Sequence, residues 1–186
     1  MYTSLKTIDN PENTQTLLDG IEKASGIRYN IFSDMAHSQL PIRVYNYAQA
    51  LIYKEATLMA DEINLIQLAV SVENSCHFCV PAHAASALNK FKSRPEIVDA
   101  IRKNQPGPDT KINALVRLAT ELVRQRGQID DSIYRCFFEH GYTKEQLFEI
   151  LTIIAYKTIT NYTSTIMNTQ PNKEHQAYSW SANGEA

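Results

Sequence analysis

The sequence predicts an all-α protein, and three observations support this prediction. Apolar residues recur at helical spacing along most of the chain, runs typical of strands are hard to find, and only 6 Gly are present. At 186 residues, with 44% hydrophobic and 20% charged residues, the chain has the composition of a globular protein and enough length for one substantial core. We therefore expect a single domain.

Four helices are predicted before the cysteine-containing region of the chain. They cover Pro11 to about Gly26, Ser33-Asp34 to the residue before Pro41, Ile42 to about Lys54, and Ala60 to Val72. Pro11 fits a first-turn position behind a cap at Asp9 or Asn10, because a first-turn N–H has no intrahelical partner. The helix at 60–72 is apolar around most of its circumference, which predicts burial on most sides.

Five more helices are predicted after the cysteines. They cover Ala82 to Phe91, a short helix from Pro95, Lys111 to Gln125, a helix from Asp130 or Asp131 to Gly141, and a long helix from Thr143 to about Asn161. The turn cluster NQPGPDT at 104–110 separates two of them, and Gly127 fits a helix C-cap. Thr143 and Gln146 form a capping-box pattern. From Pro171 onward the chain is polar, and we expect it to wrap the surface or a partner.

Two of these helices share a pattern in which an acidic turn leads into a dense apolar run. ADEINLIQLAVSVENS at 60–75 and TKEQLFEILTIIAYKTITN at 143–161 both show it. A duplicated helical hairpin would explain the echo, with only the first copy leading into cysteines. The general similarity of buried helices would explain it equally well.

Composition argues against several classes of function. With 18 Lys+Arg against 20 Asp+Glu, the formal net charge is −2, which does not indicate binding to nucleic acid or to an anionic membrane surface. No window approaches the ~20 apolar residues that span a bilayer. The stretch MYTSLKTIDNPEN lacks the features of a secretory signal, and 3 Cys are too few for a secreted disulfide framework. We therefore expect a cytoplasmic protein.

The stretch SVENSCHFCVPAH at 71–83 differs from the rest of the chain. On a helix that turns by ~100° per residue, Cys76, Cys79 and His83 fall within about 60° of one another, on one stripe. Glu73 would lie about one turn earlier, at the edge of that stripe. Two sulfurs, an imidazole and a carboxylate can therefore converge.

Pro81 predicts where the helix begins, because proline is tolerated in a first turn but disrupts a helix interior. We expect a start close to Ser75–His77, with Asn74 or Ser75 as the N-cap. Both cysteines would then lie at a helix N-terminus, where unpaired N–H groups and the helix dipole favour a thiolate. A thiolate attacks peroxides and disulfides, and a second cysteine within reach closes a disulfide.

Other interpretations of the motif remain open. Cys76, Cys79 and His83 are all legitimate zinc ligands, but a closed zinc site needs a fourth. Cys136 or His77 could supply it, although neither is spaced persuasively. A thioredoxin-like site is less consistent with the sequence, because that motif follows a strand. Cys136 is most simply a core cysteine. The histidines without evident partners are His37, His140 and His175.

The pattern E-x-x-C-x-x-C-x-x-x-H, which follows the apolar run LAVSV, resembles the motif of the AhpD-like family, which contains the alkylhydroperoxidases and the carboxymuconolactone decarboxylases. The likeness extends to MAHSQLPIRVYNYAQALI before the motif, and to DTKINALVRLATELV and GYTKEQLFEILTIIAYKTITNYTSTIMNTQP after it. It covers about residues 30–171, and a polar tail at 172–186 follows.

The resemblance implies an all-α, AhpD-like domain over residues 1–186 that assembles into homo-oligomers. It implies a thiol-dependent peroxidase in which Cys79 attacks the hydroperoxide, Cys76 resolves the product and His83 belongs to a proton relay. A thiol reductant of the lipoyl or thioredoxin type would reopen the disulfide, and no metal or organic cofactor is required.

One position departs from the best-known alkylhydroperoxidases. There a glutamate about three helical turns before the first cysteine starts the proton relay, and Asn64 occupies that position here. Glu73 is available instead, as in many peroxidase-related members. The decarboxylase branch does not need both cysteines, so their presence argues against decarboxylation. The alternatives are a carbon–carbon lyase acting on a lactone acid, and a non-enzymatic helical oligomer whose cysteine pair is a redox sensor or a zinc clip.

Overall fold

The computed structural model describes residues 12–182, and this part of the chain is all-α, as predicted. Its helices are α1 (Glu12–Ser25), α2 (Asn30–Met35), α3 (Gln39–Glu55), α4 (Ala60–Glu73), α5 (Cys79–Asn89), α6 (Pro95–Arg102), α7 (Thr110–Arg124), α8 (Asp131–Glu139) and α9 (Lys144–Met167), followed by a 3₁₀ helix at Lys173–Tyr178. The expected helix start at Asp9, Asn10 and Pro11 lies outside the described residues. None of the helices between residues 12 and 182 is long and apolar enough to cross a membrane.

Two predicted boundaries in the first half of the chain are wrong. The short helix begins at Asn30 rather than at Ser33, and Pro41 lies in the first turn of α3 instead of marking the end of α2. The proline is tolerated there because its missing N–H would have no partner in a first turn.

Helix α4 is the centre of the fold. Every residue from Glu62 to Val72 is buried, and α5, α6, α7 and α9 all pack against the helix. A helix covered on all sides has no need of a polar face, which explains its dense apolar sequence.

Helix α9 is fixed at its beginning by side chains of its own first turns. The Thr143 hydroxyl accepts from the Gln146 N–H at 3.2 Å, and the Thr143 N–H donates to the Gln146 side chain at 2.9 Å, which confirms the predicted capping box. The Glu149 carboxylate accepts from the backbone N–H groups of Thr57 and Leu58 at 2.7 and 3.1 Å. These contacts fix α9 against the α3–α4 turn, and the helix then continues to Met167, beyond its predicted end at Asn161.

Residues 169–182, which we call the C-terminal strap, return over the surface after α9. The 3₁₀ helix of the strap packs against α5. The strap begins where Asn168 adopts a left-handed conformation with φ 51° and ends α9.

Large apolar side chains remain exposed on α3 and α9, two helices that pack against each other. These side chains are Leu40, Val44, Tyr47 and Leu51 on α3, and Phe148, Leu151, Tyr162 and Ile166 on α9. The spacing of four, three and four residues on α3 places its members on one face of the helix.

Candidate active site

The cysteine motif lies at the junction between α4 and α5. Ser75 adopts a left-handed conformation, with φ 52°, and the chain turns there before α5 begins at Cys79. The predicted start at Ser75–His77 is therefore wrong, since Cys76 lies in the connecting turn and only Cys79 opens the helix. Pro81 does lie in the first turn of α5, as its chemistry requires.

The structure brings the two cysteines together below the protein surface. Both are free thiols and each is only 1% exposed. The Cys79 N–H donates to the Cys76 sulfur, with a nitrogen–sulfur distance of 3.2 Å. The connecting turn therefore holds Cys76 against the first residue of α5.

The surroundings make the two sulfurs chemically different. Burial opposes ionisation of the Cys79 thiol, but a hydrogen bond from Cys76 and the positive charge of Lys157 lower its pKa to about 6. Hydrogen bonds from Asn161 and Thr160 lower this pKa further. Burial and the interaction with Cys79 raise the pKa of Cys76. At neutral pH the pair therefore consists of a Cys79 thiolate and a Cys76 thiol.

Lys157 is one of the candidate site residues that the sequence analysis missed. It lies on α9, is 2% exposed, and holds its ammonium group 5.7 Å from the centre of the Tyr45 ring. Burial lowers the pKa of Lys157, but the charge of Cys79, together with smaller effects of Tyr45 and Cys76, outweighs burial and raises it. A buried ammonium group is costly unless it is paired, and the Cys79 thiolate supplies the opposite charge.

One buried face of α9 is polar beside the cysteines. Lys157, Thr160, Asn161 and Ser164 are all buried and follow helical spacing. The Asn161 amide donates to the Ser71 hydroxyl at 3.2 Å, which joins α9 to α4. Ser164 hydrogen-bonds Cys76 and thereby lowers its pKa, against the larger effect of burial. Polar residues at this spacing within an otherwise apolar helix are a signal that the sequence analysis did not use.

His83 lies on α5 and lines the same cavity as Cys79. Its Nδ1 lies 3.0 Å from the side-chain oxygen of Asn64, and the Asn64 amide donates to the His83 carbonyl at 3.0 Å. Because the amide oxygen can only accept, Nδ1 carries the proton and Nε2 is left as an acceptor. Burial, with smaller effects of Lys157 and His175, places the pKa of His83 well below its usual value, so the imidazole is neutral.

Glu73 does not line the cavity that contains Cys79 and His83. Its carboxylate accepts from Nη2 and Nε of Arg124 at 2.7 and 3.0 Å. Together with Trp180 these two residues line a separate polar cavity. The relay role predicted for Glu73 has no contact that supports it here and stays a prediction.

A cavity of about 780 Å³ opens beside Cys79. Its lining is mainly apolar and includes the aromatic residues Tyr29, Phe32, Tyr45, Tyr53, Phe78 and Phe91. Helices α1, α3 and α5 and the C-terminal strap contribute to its walls, and α9 contributes Lys157. The cavity is therefore large and apolar enough to hold an organic molecule, with Cys79 at one wall.

The remaining candidates from the sequence lie elsewhere. The sulfur of Cys136, which is half-buried, is 3.8 Å from Nδ1 of His140 on its own helix turn. His77 packs beside Trp180, with ring centres 5.7 Å apart. Within residues 12–182, no group of three or more His, Cys, Asp or Glu side chains is arranged to hold a metal ion. The zinc interpretation therefore lacks a ligand set in the described part of the chain.

Comparison with known proteins gives one family and a set of related structures. Residues 39–121 match the carboxymuconolactone decarboxylase family. A search of curated proteins gave no match. A peroxidase-related protein from Ralstonia eutropha JMP134, described as an alkylhydroperoxidase AhpD core, is 23% identical with a TM-score of 0.76, covering 89% of this chain and 88% of that chain.

Two further structures have the same fold. A peroxidase-related protein from Silicibacter sp. TM1040 is 18% identical with a TM-score of 0.74, covering 91% of this chain and 90% of that chain. The debrominase Bmp8 is 16% identical with a TM-score of 0.72, covering 89% of both chains. At such low identities, the structural likeness shows a shared fold only. The family match runs from α3 into α7 and includes the cysteine motif. The family match over residues 39–121 and the shared fold make the chain similar to the AhpD-like superfamily of alkylhydroperoxidases and carboxymuconolactone decarboxylases.

Proposed function

We propose that the protein is a thiol-dependent peroxidase that reduces hydroperoxides through Cys76 and Cys79. The observation that carries this proposal is the position of Cys79 in the wall of a mainly apolar cavity. Its surroundings there lower the pKa of its thiol to about 6 and so favour the thiolate. A thiolate is the form of cysteine that attacks peroxide oxygen, and a neighbouring thiol resolves the resulting sulfenic acid.

The reaction has two steps. The Cys79 sulfur attacks the terminal oxygen of the hydroperoxide, the O–O bond breaks, and the sulfenic acid and an alkoxide form. The alkoxide takes a proton and leaves as the alcohol. The Cys76 sulfur then attacks the Cys79 sulfur, and the hydroxyl group leaves as water with the proton of the Cys76 thiol. In sum, a dithiol and a hydroperoxide give a disulfide, an alcohol and water.

His83 and Lys157 assist this reaction from the cavity wall. Nε2 of His83 can accept a hydrogen bond from the O–H group of the hydroperoxide. This hydrogen bond would orient the terminal oxygen of the hydroperoxide towards Cys79. The ammonium group of Lys157 stabilises first the thiolate and then the departing alkoxide. Asn64 acts as a positioning residue, since it fixes the tautomer of His83.

The cycle closes when an external dithiol of the lipoyl or thioredoxin type supplies two electrons and two protons to the disulfide. Both cysteines are only 1% exposed. A reductant whose thiol is carried on a slender, flexible arm therefore fits the site better than one whose thiol lies on a flat protein surface.

Reductive dehalogenation is a second candidate function. The debrominase Bmp8 shares the fold, and its structure in complex with 2,3,4-tribromopyrrole has a TM-score of 0.70 to this chain. The cavity of about 780 Å³ exceeds what a small peroxide requires. The same dithiol could replace an aryl bromine by hydrogen, releasing bromide and forming the disulfide. Bromide release from that bromopyrrole, measured beside peroxide consumption, separates the two reactions.

The apolar face shared by α3 and α9 is the surface on which we expect a second copy of the chain, in line with the homo-oligomer that the resemblance implies. Val44 and Tyr47 are 44% and 72% exposed on this face. Replacing both by Glu should lower the mass measured by light scattering to that of a monomer, because two carboxylates cannot be buried cheaply. An unchanged oligomer would place the contact on another surface.

The proposed reaction predicts a specific loss of thiols. One equivalent of an organic hydroperoxide, added to reduced metal-free protein, should remove two alkylatable thiols, mapped by mass spectrometry to Cys76 and Cys79 and restored by a dithiol. A Cys136→Ser variant should lose the same two thiols. Survival of both thiols in excess peroxide would contradict the proposal and favour a lyase that does not use them.

Lys157→Met should destabilise the Cys79 thiolate relative to the thiol. It should not leave a large cavity, since the two side chains are similar in size. Loss of the positive charge should raise the pKa of Cys79 by at least about one unit, measured as the midpoint of iodoacetamide alkylation against pH. From a pKa of about 6, a rise of one unit should lower the rate of alkylation at pH 7 about twofold, and a rise of two units should lower it about tenfold. Lys144→Met, an exposed position on the same helix, is the matched control. An unchanged midpoint would show that Lys157 does not set the charge of Cys79.

Glu73→Gln tests the relay role predicted from the motif. Because Glu73 binds Arg124 outside the cavity, we expect less than a threefold change in peroxide rate and a stability loss of up to about 1 kcal/mol from the exposed ion pair. Loss of a relay carboxylate would instead lower the rate by about 10²-fold while alkylation of Cys79 stayed normal. That second result would assign the relay to Glu73.

A further inference from the structure

The C-terminal strap brings a second histidine into the active-site cavity. His175 lies in the 3₁₀ helix at 173–178 and lines the cavity together with Cys79, His83 and Lys157. Its ring stacks on Tyr29, with ring centres 6.3 Å apart and planes at 21°. Nothing in the local sequence indicated this placement, since His175 is far from the cysteine motif along the chain.

The strap is held at both ends, so the position of His175 is built into the fold. At its start the Asn172 amide donates to the Arg28 carbonyl at 2.9 Å. At its end the Asn89 amide donates to the Tyr178 hydroxyl at 2.8 Å.

The end of the strap has a second attachment beyond Tyr178. The indole N–H of Trp180 donates to the Arg102 carbonyl at 2.9 Å. Arg102 donates in return to the Ser179 carbonyl at 2.8 Å. The strap is thus fixed to α5 and α6, and its central residue is held over the cavity.

His175 is buried yet lacks a protein partner. It is 7% exposed, and its Nδ1 forms no hydrogen bond with any described residue. A buried imidazole nitrogen without a partner is costly, and such groups at a cavity wall are satisfied by a ligand or water. The His175 ring therefore lines the cavity with its buried Nδ1 left without a hydrogen-bond partner among the described residues.

The charge of the cavity indicates which polar group would bind there. The residues that line it include Lys157 and Lys90 but no Asp or Glu. Because the Cys79 thiolate balances the charge of Lys157, Lys90 is the cation of the lining that faces no carboxylate there, and an apolar cavity with such a cation attracts an anion attached to an apolar body. A carboxylate is the common organic anion that also accepts a hydrogen bond from imidazole.

We propose that His175 forms a binding subsite for the acidic group of an apolar organic substrate whose reactive group lies at Cys79. The identity of this substrate as an organic hydroperoxide that carries a carboxylate rests on the proposed function. The acid subsite itself does not depend on that reaction, so the two can be tested separately.

The test uses the native reduced protein and an unreactive pair of probes, 4-isopropylbenzoate and its methyl ester, with dissociation constants measured by calorimetry. We expect the acid to bind at least about tenfold tighter than the ester. His175→Phe keeps the ring on Tyr29 but removes the nitrogens, and it should remove most of this preference while binding of the ester changes little. His140→Phe, directly after α8 and outside the cavity, is the matched control and should preserve the preference.

Two readouts exclude a purely structural effect. The single Trp of the chain, Trp180, lies in the strap, so its emission wavelength should be unchanged in His175→Phe if the strap stays in place. Alkylation of Cys79 should also be unchanged. Equal binding of acid and ester, absence of binding by both, or equal weakening of both in His175→Phe would overturn the proposal. None of these outcomes depends on whether the protein consumes peroxide.

Discussion

The charge pair between Cys79 and Lys157 is the interaction on which the site depends. Lys157 is 2% exposed in a mainly apolar interior, where an ammonium group without an opposite charge would be strongly unfavourable. The Cys79 thiolate supplies that opposite charge. The ammonium group in turn helps to lower the pKa of Cys79 to about 6, although burial raises it. Nucleophile and cation therefore stabilise each other, and neither α5 nor α9 can shift without separating them.

The rest of the fold holds these two helices in register. The buried helix α4 precedes both in sequence and packs against both, and Asn161 joins it to α9 through Ser71. Glu149 fixes the beginning of α9 to the α3–α4 turn. Asn64, also on α4, fixes the ring of His83. The polar groups of the site are thus oriented by a rigid central helix rather than by mobile loops, which is what a preorganised site requires.

The features that the sequence predicted correctly are those that depend on residues close together along the chain. The all-α class, the capping box at Thr143 and the first-turn position of Pro81 follow from patterns a few residues long. The start of α5 at Cys79 did not, because the left-handed Ser75 inserts a turn that periodicity cannot show. Lys157 and His175 were missed for a different reason. Their contacts with Cys79 and its cavity are made across the fold, by residues that no local spacing relates to the motif.

Oxidation of the pair changes the electrostatics of the whole site. When Cys76 and Cys79 form a disulfide, the negative charge disappears and Lys157 is left buried without its counter-charge. The reduced form is therefore stabilised relative to the oxidised one, as for any dithiol whose thiolate is held by a fixed cation, and the disulfide becomes easier to reduce. A thiolate of low pKa is also the better leaving group when a reductant attacks its partner sulfur. The same buried lysine would thus favour both halves of the proposed cycle, first activating Cys79 towards the oxidant and then favouring its release from Cys76.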